Sequence, residues 1–263
     1  MATVDASGKS TVWLLDQEAR PILKVVAASG DLVVSADRSL VACVTKDRIL
    51  VFDASGAGIA ERQNTDPGLP SVVGMVGNVL YFTEGDGTPH GWDIATKKVT
   101  DLTARLVAID AKHSVGVVDQ SVVDAAAGSL RTCFGAVTLG SDQLKWSDCI
   151  NARPMGFTPG GKYVLTQGPW DLAPSSGDVP GTSADPTFTV IDAGTGVPLL
   201  TLQSPQLLVL GIGASGDGSA VYLSLADGAR NANALVRCDI ATGSCQVVGT
   251  AHDFRIARPI RDT

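Results

Sequence analysis

Short apolar runs that end in Asp recur along the chain, each followed by small or turn-forming residues and then a second alternating run. The copies read VWLLD-QEARPILKV (Asp16), ILVFD-ASGAGIAER (Asp53), HGWD-IATKKVTDL (Asp93), SVVD-AAAGSLRTC (Asp124), FTVID-AGTGVPLLTL (Asp192) and VRCD-IATGSCQVV (Asp239). Each reads as a β-hairpin closed by Asp, whose side chain accepts backbone N–H bonds just ahead of it. Long Leu/Ala/Glu/Lys stretches of helical period are missing, so the pattern predicts an all-β chain.

Two more strand signals precede each hairpin, linked by VVSADRSLVACV, VGMVGNVLYF, VAIDAKHSVGVV, GFTPGGKYVL and GIGASGDGSAVYL. A unit of four strands every 40–50 residues is the period of a propeller blade. The first strand of each unit carries a small residue at a matching place: Ser35, Gly74, Ala108, Gly156, Gly211 and Ala257. Small side chains there suit inner strands that crowd near an axis. The pattern therefore predicts a single six-bladed β-propeller, with blades near 1–26 plus 253–260, 27–63, 70–102, 105–134, 152–203 and 206–249. The terminal strand Asp253–Ile260 would complete the first blade and remove its open edge. The long interval between Asp124 and Asp192 could hide a seventh blade, but insertions at 135–149 and 168–186 explain it more simply.

The turn signature, Asp93-Ile94-Ala95-Thr96, Asp192-Ala193-Gly194-Thr195-Gly196 and Asp239-Ile240-Ala241-Thr242-Gly243, resembles the YVTN/quinoprotein-like and WD-like repeats of bacterial secreted propellers. The resemblance spans nearly the whole chain and implies architecture, not activity, because propellers host unrelated functions. The Trp-Asp pair of WD repeats occurs at such a turn only as Trp92-Asp93.

With 44% hydrophobic and 18% charged residues, the chain can fill a sizeable core, and its formal charge of −7 opposes nucleic-acid binding. No apolar run is long enough to span a bilayer. The chain enters a strand almost at once, which is consistent with an upstream leader or anchor and with an ectodomain of a larger protein. Cys238 and Cys245 flank one hairpin turn, and Cys133 and Cys149 bracket a short segment, so two disulfides are expected; Cys43 reads as a core residue. Bridges imply an oxidising, extracytoplasmic compartment. Zinc is the competing account, but the cysteines lack paired CxxC spacing.

In a propeller, second-to-third strand loops share one end with the links between blades. The rich loops there are Glu84–His90, Gly168–Pro186 with Trp170 and Asp171, and Ala226–Asn233 with Arg230; His252 lies on a link of the same end. Trp170 reads either as a ligand platform or as an anchor for its own loop. Asp171, Asp178 and Asp185 could hold calcium, although their spacing fits no EF-hand loop. Arg105 and Arg153 begin equivalent inner strands and read either as an anion seat or as partners of local acids such as Asp101 and Asp148. No nucleophile elbow, HExxH helix or phosphate loop occurs. The expectation is a binding or scaffold propeller for a protein, peptide or glycan, without a cofactor. A propeller hydrolase, lactonase or lyase is the alternative.

Overall fold

The computed structural model describes residues 2–4, 10–15, 21–27, 32–45, 48–64, 68–120, 122–124, 129–141, 143–149, 152–168, 187–203, 208–227 and 232–251. Strands β1 (Ala2–Val4), β2 (Ser10–Leu15) and β3 (Pro21–Ala27) form a three-stranded sheet. β4 (Leu32–Val34), β5 (Leu40–Val44), β6 (Arg48–Asp53) and β7 (Gly58–Gln63) form a four-stranded sheet in chain order. The next comprises β8 (Ser71–Val76), β9 (Val79–Thr83), β10 (Pro89–Asp93) and β11 (Val99–Asp101). After β12 (Arg105–Asp110) and β13 (Val115–Asp119) the chain makes a separate hairpin, β14 (Val122–Asp124) and β15 (Ser129–Arg131), before β16 (Phe134–Thr138) and β17 (Gln143–Asp148). The sheet order is β12-β13-β16-β17, and β14-β15 stands apart from it.

Two further four-stranded sheets follow. One holds β18 (Arg153–Phe157), β19 (Tyr163–Gly168), β20 (Thr187–Asp192) and β21 (Pro198–Gln203). The other holds β22 (Leu208–Ala214), β23 (Ala220–Asp227), β24 (Ala232–Asp239) and β25 (Cys245–Ala251). Pairing within the sheets is antiparallel. The chain divides into two compact units between Lys112 and His113.

Burial explains why the strands differ in composition. β5 (LVACV) and β9 (VLYFT) are covered on both faces and are almost continuously apolar, whereas the outer strand β7 (GIAERQ) alternates between exposed and half-buried positions. In the first unit one apolar cluster joins Val33, Ala42 and Val51 of one sheet to Met75, Leu80 and Trp92 of the next. In the second unit Val164 and Ile191 pack with Val117 and Phe134, and Leu165 and Val190 pack with Val221 and Cys238. Each fully covered Val, Leu or Phe contributes about 1.5–3 kcal/mol. Within each unit these apolar clusters hold neighbouring sheets face to face.

Each four-stranded sheet has a turn end, where its first strand meets its second and its third meets its fourth. At the closing turns Asp53, Asp93, Asp192 and Asp239 accept backbone N–H bonds from the residues ahead, at 2.8–3.0 Å. The next residue, Ile94, Ala193 or Ile240, is buried and donates its N–H to the carbonyl of Asn78, Lys162 or Ser219, clipping the two turns of the sheet together. That accounts for the Asp-Ile/Ala-x-Thr signature residue by residue.

Three expectations change. Residues 135–149 are not an insertion: they supply β16 and β17, the third and fourth strands of their sheet. The Asp124 hairpin is the inserted element instead. The reason lies at Thr138, which takes the Asp position, while Leu139 donates to the Ser114 carbonyl as Ile94 does to Asn78. The Asp-ended pattern therefore marks the local hairpin at Asp124 and not the true closing turn at Thr138. At three sites the small residue of the first strand falls at a register shift, and at Gly156 it has a different cause from axial crowding. Gly74, Gly156 and Gly211 each sit just past a register shift, paired one residue out of step with the strand beside them. Gly156 has φ of 149°, a conformation that excludes most side chains, and no described atom lies within 4 Å of the Cβ it lacks. The expected terminal strand Asp253–Ile260 lies outside the described residues.

Candidate functional site

Among the described residues the opposite, loop end of the sheets carries no common signature, and in the first unit it gathers charge. β9 ends on Thr83 and delivers Glu84 into a tight loop, in which the Glu84 N–H bonds to the Thr88 carbonyl and the Gly87 N–H to the Glu84 carbonyl. Asp86 accepts from Thr88 through both backbone and hydroxyl, which holds its carboxyl below the usual carboxylate range. The link that leaves β7 packs on this loop: a Cβ on Gly68 would stand 2.8 Å from the Gly85 carbonyl oxygen, so only glycine fits.

The Glu84 side chain is 5% exposed and receives Arg62 from β7 at 2.5 Å. His90 of β10 is 12% exposed and stacks on Phe82, with ring centroids 5.2 Å apart. The Arg62 guanidinium stands 5.2 Å from the same ring. His90 Nδ1 lies 3.0 Å from Asp101 of β11, and Nε2 lies 3.9 Å from Glu84. Four strands from two neighbouring sheets are thus tied by one chain of polar groups around a single aromatic ring. Ile49, Gln63, Asn64 and Pro70 pack around Arg62, Phe82 and Glu84 and leave no water-sized space between them. Leu69, on the link above, is 48% exposed.

An Asp–His pair is half of a nucleophile-activating arrangement. Here the second ring nitrogen faces the Glu84 carboxylate, 3.9 Å away, and not a hydroxyl or thiol among the described residues. Among the described residues no three metal-ligating side chains come together.

Of the residues singled out by sequence, His90 belongs to this cluster. Arg105 is exposed at the head of β12 and forms no ion pair among the described residues; Asp101, its expected partner, is held by His90 instead. Arg153 opens β18 in the second unit, at the equivalent position. Trp170, Asp171, Asp178, Asp185, Arg230 and His252 lie outside the described residues. Sequence reading missed Arg62 and gave Glu84 no role. The available signal was a Glu directly after the apolar run VLYFT, where β9 remains covered, because a carboxylate at such a depth needs a cation.

Both expected disulfides are present, Cys133–Cys149 and Cys238–Cys245, and Cys43 is free and buried, with its thiol pushed up to about 11 by desolvation. Cys238 and Cys245 face each other directly across β24 and β25. Among the described residues no helix is long and apolar enough to cross a membrane.

No protein-family model matches the chain, and no curated protein matches it. Solved structures do. A computationally designed protein, Ika8, aligns with 96% of this chain and 71% of its own, at 17% identity and a TM-score of 0.58. The β-propeller domain of Cps50 (Swd1) from Myceliophteria thermophila aligns with 95% of this chain and 82% of its own, at 13% identity and a TM-score of 0.57. The fold is of the β-propeller kind. At such low identity the likeness extends to the fold alone.

Proposed function

We propose that this chain is an extracytoplasmic six-bladed propeller that binds a protein or peptide through the loop ends of its sheets. The carrying observation is the contrast between the ends within each sheet. Turn ends repeat one self-satisfied chemistry, whereas the loop end of the first unit builds a specific cluster, Arg62–Glu84–His90–Asp101, beside an exposed leucine. Non-repeating loops on a repeating scaffold are where propellers and other rigid folds carry recognition. Two disulfides support export, since such bridges form and persist in oxidising compartments. The repeat resemblance to bacterial secreted propellers supports the same compartment. A glycan is a further ligand class for the same face, and Arg105 and Arg153 remain the residues that would serve an anionic one. The hydrolase alternative gains no support from the Asp101–His90 pair, which is turned toward Glu84.

A photo-crosslinker placed at position 69 and, separately, at position 55 in a closing turn tests this reading in an extract of the protein's own compartment. A discrete adduct from position 69 and none from position 55 is expected. Equal labelling from both positions would overturn it.

A further inference from the structure

Each four-stranded sheet ends on an outer strand, and in four of the five an apolar side chain of that strand packs into a buried cluster. Ala60 of β7 and Val99 of β11 pack on the cluster of the first unit. Trp146 of β17 packs with Val164 and Ile191, and Leu200 of β21 is buried against Val221 and Cys238. Among its described side chains β25 has no such anchor. Cys245, Gln246 and Thr250 are exposed, and so are Val247 at 62% and Val248 at 45%, although Val247 pairs with the half-buried Val236. Beyond its ladder bonds to β24, what ties this strand to the core is the Cys238–Cys245 bridge. Cys238 is fully buried among Leu165, Val190 and Val221, whereas Cys245 is exposed, so the bridge runs from the core to the open strand.

The other bridge supplies the comparison. Cys133 precedes β16 and Cys149 follows β17, so it too joins a third strand to an outer one. That outer strand is also held without it: the Trp146 ring meets Phe134 edge-on, and its Nε1 donates to the Ala193 carbonyl at 2.9 Å. We propose that Cys238–Cys245 is a redox latch on β25, whose reduction frees the outer strand while β22, β23 and β24 stay packed. A dithiol reductant supplies the two electrons and two protons. Its thiolate attacks the exposed Cys245 sulfur, Cys238 leaves and takes up a proton, and the second thiol of the reductant then displaces Cys245 and closes its own disulfide. The Cys238 thiol remains in its cluster as a small apolar side chain, so the core of the sheet is kept. Release of β25 uncovers the row of N–H and C=O groups along β24. The latch does not depend on the loop-end reading above.

Hydrogen exchange of the intact chain, resolved to peptides by mass spectrometry, tests this. The folded protein is compared before and after treatment with dithiothreitol, and with two variants, Cys238→Ala with Cys245→Ala and Cys133→Ala with Cys149→Ala. Amides of β25 are expected to exchange about tenfold faster once Cys238–Cys245 is reduced or removed, because a short covalent loop no longer limits local opening. Those of β22 and β23 should keep their protection. In the Cys133→Ala, Cys149→Ala variant the amides of β17 should stay within about twofold of their original rates, since Trp146 still holds that strand. Reduction of the already folded chain decides the matter by itself should either variant fail to fold. Unchanged protection of β25 after reduction would overturn the latch. So would a joint loss over β22, β23 and β25, because the bridge would then hold the whole sheet. Equal losses at β17 and β25 would sink the comparison of anchors on which it rests.

Discussion

The two ends of the four-stranded sheets solve the same problem, satisfying backbone and charge where strands reverse, in opposite ways. At the turn ends each Asp serves its own loop. Asp37 accepts from Ser35 and from both the N–H and the hydroxyl of Ser39, and Asp217 repeats these bonds with Ser215 and Ser219 at nearly the same lengths. At the loop end of the first unit Asp86 is still served by its own loop, but Glu84 depends on Arg62 from the neighbouring sheet, and His90 depends on Asp101 from the adjoining strand. Local, repeated chemistry specifies the scaffold. Non-local chemistry that occurs once is what a scaffold carries in addition, and it is the more fragile of the two.

The largest expected effect follows from that fragility. Arg62→Ala leaves the Glu84 carboxylate at 5% exposure without its guanidinium, and breaking a covered pair from one side costs about 3 kcal/mol. Arg62 is itself partly exposed, which places the loss at the lower end for such pairs. The double change Arg62→Met with Glu84→Gln should recover most of it, since no charge is then left in the covered position. Urea unfolding of the three proteins measures both. Equal losses in the single and double variants would show that the pair merely packs and is not a charge bridge.

The same contrast explains what was legible in the sequence. The closing turns were readable because each is a local sentence: Asp accepts the N–H groups ahead, a buried Ile or Ala clips the adjoining turn, and Thr bonds back to the Asp. The reading failed where another residue served the same geometry, at Thr138, and the neighbouring SVVD hairpin took its place. The two disulfides were readable for the same reason, since each bridge closes a short stretch of chain. The Arg62–Glu84 pair was not, because 22 residues and a change of sheet separate its members. His90 was found as a loop residue, but its role depends on Asp101, which becomes its neighbour only through the register of β10 and β11.

A middle-sized effect sharpens the turn-end side. The residue four beyond Asp is Gly196 (φ 76°) or Gly243 (φ 70°) in two closing turns, but Lys97 (φ 63°) in a third. A non-glycine residue in this left-handed region costs roughly 1–2 kcal/mol. Lys97 recovers part of that through its ammonium, 6.0 Å from the Trp92 ring. Lys97→Gly is therefore expected to stabilise the protein by about 0.5–1 kcal/mol, read as a rise in Tm of about 2 °C. The reverse change is unequal at the two glycines. A Cβ at Gly196 would stand 2.8 Å from the Trp146 ring, whose Nε1 donates to the Ala193 carbonyl at 2.9 Å, whereas at Gly243 its nearest described neighbour is Leu200 at 3.7 Å. Gly196→Lys should thus lose clearly more than Gly243→Lys. Equal losses would mean that the turns differ only in backbone strain.

The smallest effect is one of pH, and it belongs to the paired turns. The serine hydroxyl ahead of each, together with the N–H and hydroxyl behind, holds Asp37 and Asp217 down at about 2, from an ordinary value of 3.8. A carboxyl with a lowered folded value contributes stability that is complete above its unfolded value and is lost as pH falls through the folded one. Both contributions are therefore present above 3.8 and fade toward about 2. Asn retains the acceptor oxygen but cannot titrate, so Asp37→Asn with Asp217→Asn should leave the turns closed and make the acid limb of stability shallower over that interval. At neutral pH the variant should be slightly less stable, because an ionised acceptor makes the stronger bonds. The two sites belong to different units and make the same local bonds, so each single variant should remove about half of the change. If Asp37→Asn alone produces the whole of the double variant's change, the two turns are not equivalent, and the repeat chemistry that separates turn ends from loop ends does not hold in both units.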